Sequence, residues 1–393
     1  MGRFSLICSM YFKDIIGQNN IKKHLIQSVE NNRIPHAQLF VAPPGSGGLP
    51  MAIAYARYIL CSGAEENQFT GHNPCQLKFD KLVHPDLHFV FPVSTTEKIK
   101  DHPVSDLFLE EWRKFVLNSP YGTLFNWYKY LGIENKQGQI GVDEAENIVR
   151  KLALKSYEGG FKIMIIWMAE KLNATASNKL LKLLEEPPKE TLFILITEHE
   201  GQILNTITSR CQILHFRALG ESEIRQALIE KEGAEEKLAV GIAYRANGNY
   251  NSALHLLNND ANEATFEMWF IFWVRTAFKA KGNPSVISEL INWSEEISKT
   301  GRETQKSFLL YCLQFFRQAL METYRVGSLA FYEPSDQKFD LQKFAPFIHG
   351  GNIEDISKAI NDAVYHIERN GNAKIILLDL SMQLTRFLHQ KES

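Results

Sequence analysis

A short apolar run, Leu39-Phe40-Val41, feeds directly into Ala42-Pro43-Pro44-Gly45-Ser46-Gly47-Gly48-Leu49-Pro50, and an Ala- and Tyr-rich stretch follows from Met51 to Cys61. Strand, glycine loop and helix in that order form the setting in which backbone N–H groups can cradle phosphates. Pro50 suits the first turn of the helix, where its missing N–H costs nothing. The chemistry of the loop is nevertheless incomplete. A working phosphate loop sets a Lys on the β/γ oxygens and a Ser or Thr hydroxyl on Mg²⁺. Gly48 and Leu49 occupy those two positions. Gly45, Gly47 and Gly48 therefore make a degenerate loop. It reads as a tight strand–helix turn, with Mg-independent binding of an anion or nucleotide by bare amides as the alternative. The acids that hold Mg²⁺ and polarise water belong at the end of a second apolar strand. Ile163-Met164-Ile165-Ile166 ends instead in Trp167 and Met168. ATP is not expected to be hydrolysed here.

The elements that must position these residues alternate. Strands read over Lys162–Trp167, Leu192–Thr197 and Gln212–Phe216, with helices over Ile21–Val29, Asp143–Leu154 (capped by Asp143) and Ala174–Leu184. Such alternation predicts a parallel sheet with helices on both faces. Residues 62 to 86 turn polar. Residues 91 to 139 read as an irregular insertion, helical only over Leu107–Val116. After Arg217 strand signals cease and eight helical segments follow: Glu221–Lys231, Ala234–Arg245, Ser252–Leu257, Ala264–Lys279, Val286–Ser298, Thr304–Tyr324, Ile353–Arg369 and Ala373–His389. The expected division is an α/β domain over 1–217, a small helical domain over 218–262 and a helical C-terminal domain over 263–393. Phe266, Trp269, Phe270 and Trp273 fall at i, i+3, i+4 and i+7, the spacing of a helix core face, or else of a surface that docks a neighbouring helix.

The chain has 393 residues, 45% of them hydrophobic and 22% charged, with 43 basic against 45 acidic side chains. Those proportions suit a globular protein with sizeable cores. A net charge of −2 gives no global case for binding nucleic acid. The most apolar runs are too short to span a membrane. The N-terminus lacks the long apolar core of a signal peptide, and Met10 reads as an alternative start. Five scattered cysteines do not suggest a disulfide framework. A cytoplasmic location is the default.

Several motifs together resemble the AAA+ clamp-loader family, in its delta-prime branch. Phe12-Lys13-Asp14-Ile15-Ile16-Gly17-Gln18 is similar to the family's opening, and Pro35-His36-Ala37-Gln38-Leu39-Phe40 to the run entering its first core strand. Asn178-Lys179-Leu180-Leu181-Lys182-Leu183-Leu184-Glu185-Glu186-Pro187-Pro188 resembles its long helix and stop, and Ser209-Arg210-Cys211-Gln212 its arginine-finger motif. His84-Pro85-Asp86-Leu87 and the 91–139 insertion resemble the Bacteroidetes type. The resemblance covers the first domain and part of the second. It implies an AAA+ domain, a helical lid and a helical collar; reading the last as an oligomerising collar is analogy alone.

The family pattern sharpens the site. Glu170 falls on its helix-leading acid and not on the catalytic one. Asn251, in Gly248-Asn249-Tyr250-Asn251-Ser252-Ala253-Leu254, falls where the family's sensor arginine stands. Thr197 remains as the polar residue at a strand end. Losses at three separated places imply that the chain catalyses nothing alone, as a subunit of a DNA polymerase III holoenzyme. What is kept is Arg210, flanked by Ser209 and Cys211. An arginine finger neutralises charge on a γ-phosphoryl held by a neighbour, an effect worth roughly 10³–10⁵ in rate in GTPases. The alternative is an ordinary surface arginine paired with a local carboxylate. Cys211 reads as a small buried residue.

Relatives of this type carry a four-cysteine zinc module after the first helix. Cys61 matches its first ligand, and the following run reads Phe69, His72, Cys75. Cys61, His72 and Cys75 could hold zinc, with His84 a conceivable fourth ligand, since a closed structural site wants four. The other reading is a metal-free module packed around Phe69 and Phe79. Lys179 and Lys182 read as a solvated face, or as residues facing DNA in an assembled ring. The implied partners are the gamma/tau and delta subunits of the loader, with the sliding clamp and primed DNA reached through the complex, and no membrane. The rival readings are an AAA+ adaptor of another replication or repair complex, and an active AAA+ ATPase, which would need a Lys at Gly48 and acids at Trp167 or Met168.

Overall fold

A computed structural model of the chain describes residues 10–61, 73–134, 136–258, 261–324 and 339–390. It forms two compact units, one of Met1–Ile133 with Gln137–Ala253 and the other of Glu134–Lys136 with Leu254–Ser393.

The first unit is built on five strands: β1 (Ala37–Val41), β2 (Leu87–Val90), β3 (Lys162–Trp167), β4 (Thr191–Thr197) and β5 (Gln212–His215). They are ordered β2-β3-β4-β1-β5, and every neighbouring pair is parallel. This is the parallel α/β sheet that the alternating elements predict, and the core that the AAA+ resemblance implies. Every residue of β3 and β4 is buried, because a parallel sheet covered on both faces exposes neither side of a central strand. Alternate residues sort onto the two faces. Ile163, Ile165, Trp167, Leu192, Ile194 and Ile196 enter one core, and Met164, Ile166, Phe193 and Leu195 the other.

The helices of this unit are α1 (Asn19–Glu30), α2 (Gly48–Leu60), α3 (Pro74–Asp80), α4 (Leu109–Asn118), α5 (Leu124–Leu131), α6 (Val142–Ala153), α7 (Ala174–Glu185) and α8 (Asn205–Thr208). Three helices follow over the stretch expected as a lid: α9 (Glu221–Glu232), α10 (Glu236–Arg245) and α11 (Tyr250–Leu257). α2 is buried on all sides from Gly48 to Arg57, which its small and apolar residues permit. α6 begins at Val142 with Gly141 as its cap, one residue ahead of the expected Asp143, so the acids lie inside the first turn, where the helix dipole favours them.

Two expectations need correcting. The 91–139 insertion is more regular than its sequence suggests. It carries α5 besides α4, started by a capping box at Thr123 and stopped by Gly132 in the left-handed conformation. The strand β2 was also not anticipated: Leu87, Phe89 and Val90 are buried, but four residues after a polar stretch are too short for a periodic signal.

The second unit comprises α12 (Ala261–Lys279), α13 (Pro284–Ser298), α14 (Arg302–Thr323), α15 (Leu341–Phe344), α16 (Ile353–Glu368) and α17 (Ala373–Phe387). Phe266, Trp269, Phe270 and Trp273 are buried in its core. Trp273 stacks on Trp293 at 5.1 Å and donates its indole N–H to Ser381 Oγ at 2.8 Å, so this aromatic stripe is an internal face. Among the described residues no helix is long and apolar enough to cross a membrane.

Candidate functional site

The glycine loop leaves β1 and enters α2 without a break. Gly45 and Gly47 have φ of +68° and +96°, so both need the freedom of glycine. Space is as restrictive as backbone. A Cβ on Gly45 would lie 1.9 Å from Asn249 Oδ1 and 2.9 Å from the Tyr250 nitrogen. The Tyr250 amide donates to Gly45 O at 3.2 Å, so the entry to the lid helix α11 is seated on the loop itself. A Cβ on Gly48 would meet the methyl of Ala42 at 2.6 Å and Ile196 at 3.2 Å. The position that a phosphate-binding Lys would fill has no room for one in this packing. Gln18 closes another side, donating from Nε2 to Ser46 O at 3.2 Å and to Arg217 O at 2.7 Å. The Arg217–Glu223 ion pair stands beside it, and the Arg217 guanidinium holds the Glu223 carboxyl below its ordinary range.

The end of β3 is equally changed. Trp167 is buried and packs against Trp112 of α4 at 5.1 Å. Trp112 in turn stacks on Phe91 at 4.1 Å and meets Trp127 edge-on at 5.2 Å. The place of a catalytic acid is thus the floor of an aromatic cluster. Met168 has a φ of +56°, a conformation β-carbon-bearing residues seldom adopt. Glu170 Oε1 accepts the Glu198 N–H at 3.2 Å. Thr197 is fully buried and its Oγ1 accepts from the His199 N–H at 3.1 Å. Asn251 is the second residue of α11.

Arg210 sits in a different environment. It lies in the turn between α8 and the edge strand β5, half-exposed. Its Nη2 pairs with Glu185 Oε1 at 2.6 Å and its Nη1 donates to Thr206 O at 2.8 Å and Ser209 Oγ at 3.4 Å. Glu185 closes α7 and its side chain is 49% exposed. An ion pair this open to water is worth about 0–1 kcal/mol, so the guanidinium is presented at the surface on a weak tether. Both of its expected roles, a finger and a locally paired arginine, are compatible with that geometry. Cys211 is half-buried, and burial pushes its thiol up to about 11, which removes the thiolate a nucleophile needs. Lys179 pairs with Glu146 at 2.5 Å.

The cysteine module differs from the sequence reading in how its two cysteines are used. Cys61 and Cys75 are joined in a disulfide, Cα to Cα 5.7 Å, although scattered cysteines gave no reason to expect one. A disulfide sulfur has no thiolate charge to offer a metal. His72 and Phe69 lie outside the described residues. Cys75, His84 and Glu158 do bring donor atoms within 4.8 Å of one another. The hydrogen bonds of His84 argue against a metal there. Its Nδ1 accepts the Asp86 N–H at 3.2 Å, which fixes the ring proton on Nε2, the atom 3.0 Å from Glu158. An Nε2 that carries a proton has no lone pair for a cation. Among the described residues, then, Cys61 and Cys75 are committed to the disulfide and not to a metal. Phe79 is buried as expected, and the Arg57 guanidinium stands 5.6 Å from its ring and 4.1 Å from that of Tyr11.

Two participants escaped the sequence. Tyr121 reaches the glycine loop from the insertion, and Glu185 holds Arg210. Ser119-Pro120-Tyr121-Gly122 has a legible turn signature, but no local signal says which part of the fold the turn touches.

Comparison with known proteins is consistent with this geometry. A family model described as "DNA polymerase III, delta subunit" matches residues 17–220, just over half of the chain. The delta-prime subunit of DNA polymerase III from Bacillus subtilis (strain 168) is 31% identical over 250 residues, covering 62% of this chain and 60% of that protein. That from Haemophilus influenzae is 33% identical over 255 residues, 65% of this chain and 64% of that one. The tau subunit of Bacillus subtilis is 27% identical over 253 residues, 63% of this chain and 37% of its own length. The chain thus spans about 60% of the length of the curated delta-prime relatives it matches.

Proposed function

The chain belongs to the DNA polymerase III delta-subunit family as a delta-prime-like AAA+ protein, and on that premise we propose that it is a non-hydrolysing subunit of a clamp loader that lends Arg210 to the ATP of a neighbour. In this reading its partners are a gamma/tau subunit and the delta subunit. The sliding clamp and primed DNA are reached through the complex, and the location is cytoplasmic. Polymerase activity belongs to the holoenzyme and not to this chain.

The observation that carries the reading is a contrast in accessibility. The glycine loop has no Lys, has Leu49 where a hydroxyl would meet Mg²⁺, and has no space at Gly48. Arg210 keeps a half-exposed guanidinium on a tether that a better anion can displace. A guanidinium is charged at all working pH values and offers its donors as a planar fork, which matches the oxygens of a transferring phosphoryl group. Placed across a subunit interface, it would neutralise charge that develops only in the transition state, and so raise the rate without needing a nucleotide of its own. Glu185 would hold the side chain extended until that anion arrives.

The test is ATP turnover by a loader reconstituted from the same organism's gamma/tau and delta subunits, clamp and primed DNA, with assembly of each complex checked by sedimentation. The isolated chain is expected to be inert. The complex with the natural chain should turn over ATP faster than the complex with Arg210→Ala, by at least about tenfold and up to roughly 10³-fold. Equal turnover by the two assembled complexes would reduce the chain to a scaffold. Hydrolysis by the isolated chain would overturn the reading altogether.

A further inference from the structure

We propose that the 91–139 insertion is a built-in occupant of the lapsed nucleotide site, with Tyr121 standing where a nucleotide would and latching the lid helices to the α/β core without any ligand. Tyr121 is only 7% exposed and touches three elements that are far apart in sequence. Its hydroxyl oxygen accepts the N–H of Ile16, in the strap ahead of α1, at 2.9 Å. Its ring lies over the glycine loop, where a Cβ on Gly47 would fall 3.1 Å from Cε1. It also meets the ring of Tyr250 at the start of α11, edge-on at 5.1 Å. Tyr250 itself is hydrogen-bonded through its N–H to Gly45 O. Strap, phosphate loop and lid are the parts that a ligand seated on a loop of this kind would have to bridge, and one side chain bridges them.

The insertion is shaped to deliver that side chain. Ser119-Pro120-Tyr121-Gly122 is a tight turn between α4 and α5, closed by Gly122 N–H to Ser119 O at 2.8 Å, with proline at the second position, where its fixed φ is favoured. Gly122 is required there, since a Cβ would lie 2.7 Å from the ring of Phe115. Below the turn Trp112 covers Trp167. One segment therefore closes both the loop and the strand end at which ATP chemistry would have to take place.

The energetic sense is that of a tethered ligand. A nucleotide that bridges loop and lid favours the bridged state only in proportion to its concentration over its Kd. A tyrosine on the same chain has a fixed effective concentration and cannot be diluted away. The posture of the lid then no longer depends on nucleotide. This inference rests on the reading of the loop as nucleotide-free, and not on the role given to Arg210.

Hydrogen–deuterium exchange on the full chain tests it, without partners. In Tyr121→Ala, exchange at the Ile16, Tyr250 and Ala253 amides is expected to quicken by about tenfold or more while amides of β3 and β4 keep their natural rates. In Tyr121→Phe, which keeps the ring and loses the acceptor, Ile16 alone should quicken. Mg²⁺-ADP at millimolar concentration should change nothing in the natural chain. Natural rates at Tyr250 and Ala253 in Tyr121→Ala overturn the latch, as does slowing of α11 by ADP in the natural chain. Should Tyr121→Ala lose the protection of β3 and β4 as well, the phenylalanine variant decides, and an unchanged Ile16 amide there overturns the proposal. Failure of Arg210→Ala to alter ATP turnover would leave every one of these readings where it was.

Discussion

The glycine loop and the Arg210 turn lie along one sheet, after β1 and ahead of β5, and they have opposite physical characters. Around the loop, two of the places where ATP chemistry would need a charged or polar group hold packing contacts instead, Ala42 and Ile196 against Gly48 and Trp112 over Trp167, while Asn249 packs against Gly45. Around Arg210, which is partly exposed, stand one exposed carboxylate, one carbonyl and the Ser209 hydroxyl. A vacated site does not stay empty in a close-packed protein, because voids forfeit dispersion contacts that neighbouring side chains can supply. A group meant for another molecule must stay out of that packing. The contrast teaches that a glycine loop closed by packing and an arginine left at the surface are physically distinct, and on the proposed function they correspond to a motif lost and a motif kept.

The largest expected effect breaks the packed side. Trp112→Ala removes the centre of the insertion's aromatic cluster and should cost about 3–5 kcal/mol, read as a lowered urea midpoint. A cost below about 1 kcal/mol would mean that the cluster is not a core.

Next comes acid. Burial pushes His88 of β2 down to about 4, with the nearby Lys151 charge acting in the same direction. Its folded pKa lies below the unfolded value of about 6.5, so below that pH the unfolded chain takes up a proton that the fold refuses. The associated stability is intact above pH 6.5 and should fall by about 2–3 kcal/mol as the pH drops to 4. Unfolding of His88→Gln followed over the same range should show a shallower slope. An identical slope would remove His88 from the account.

A smaller effect sharpens the comparison at the loop. Gly48→Lys restores the missing residue type but meets Ala42 and Ile196, so it should destabilise the chain by about 1–3 kcal/mol. Titration calorimetry should show no gain in ATP binding. Gain of tight binding without loss of stability would show that the loop is merely unarmed and not filled.

The smallest effect belongs to the exposed side. Glu185→Gln removes the charge that tethers Arg210, and its thermal midpoint should move by an amount equivalent to less than about 1 kcal/mol. A larger loss would place Arg210 in the structural framework and weaken its case as a group held for a partner.

Much of the fold was legible because its signals are local. β3 and β4 announce themselves as continuous apolar runs, and α7 begins at Asn173, whose side chain caps the Ala176 N–H at 2.8 Å. The degeneracy of the loop was legible at Gly48 and Leu49 because phosphate binding demands particular residue types at fixed spacing. The insertion was mostly missed. Its α5 is only eight residues long, and its order comes from Trp112, Trp127 and Phe91 meeting one another and Trp167. The cysteine pair was misjudged for a similar reason. Whether two sulfurs join or ligate depends on the separation of their backbones and not on the count.

The sequence by itself determined which residue types the glycine loop and the end of β3 lack and where Arg210 falls, since both follow from residue type and order along the chain. Only the tertiary structure decided what packs against the glycine loop and what pairs with Arg210. That Tyr121 meets Ile16, Gly47 and Tyr250, and that Glu185 meets Arg210, are contacts across 25 to 129 positions of chain that no local pattern encodes. They exist because the sheet and its helices bring those segments together, and because packing and hydrogen-bond satisfaction then select the side chains that fit.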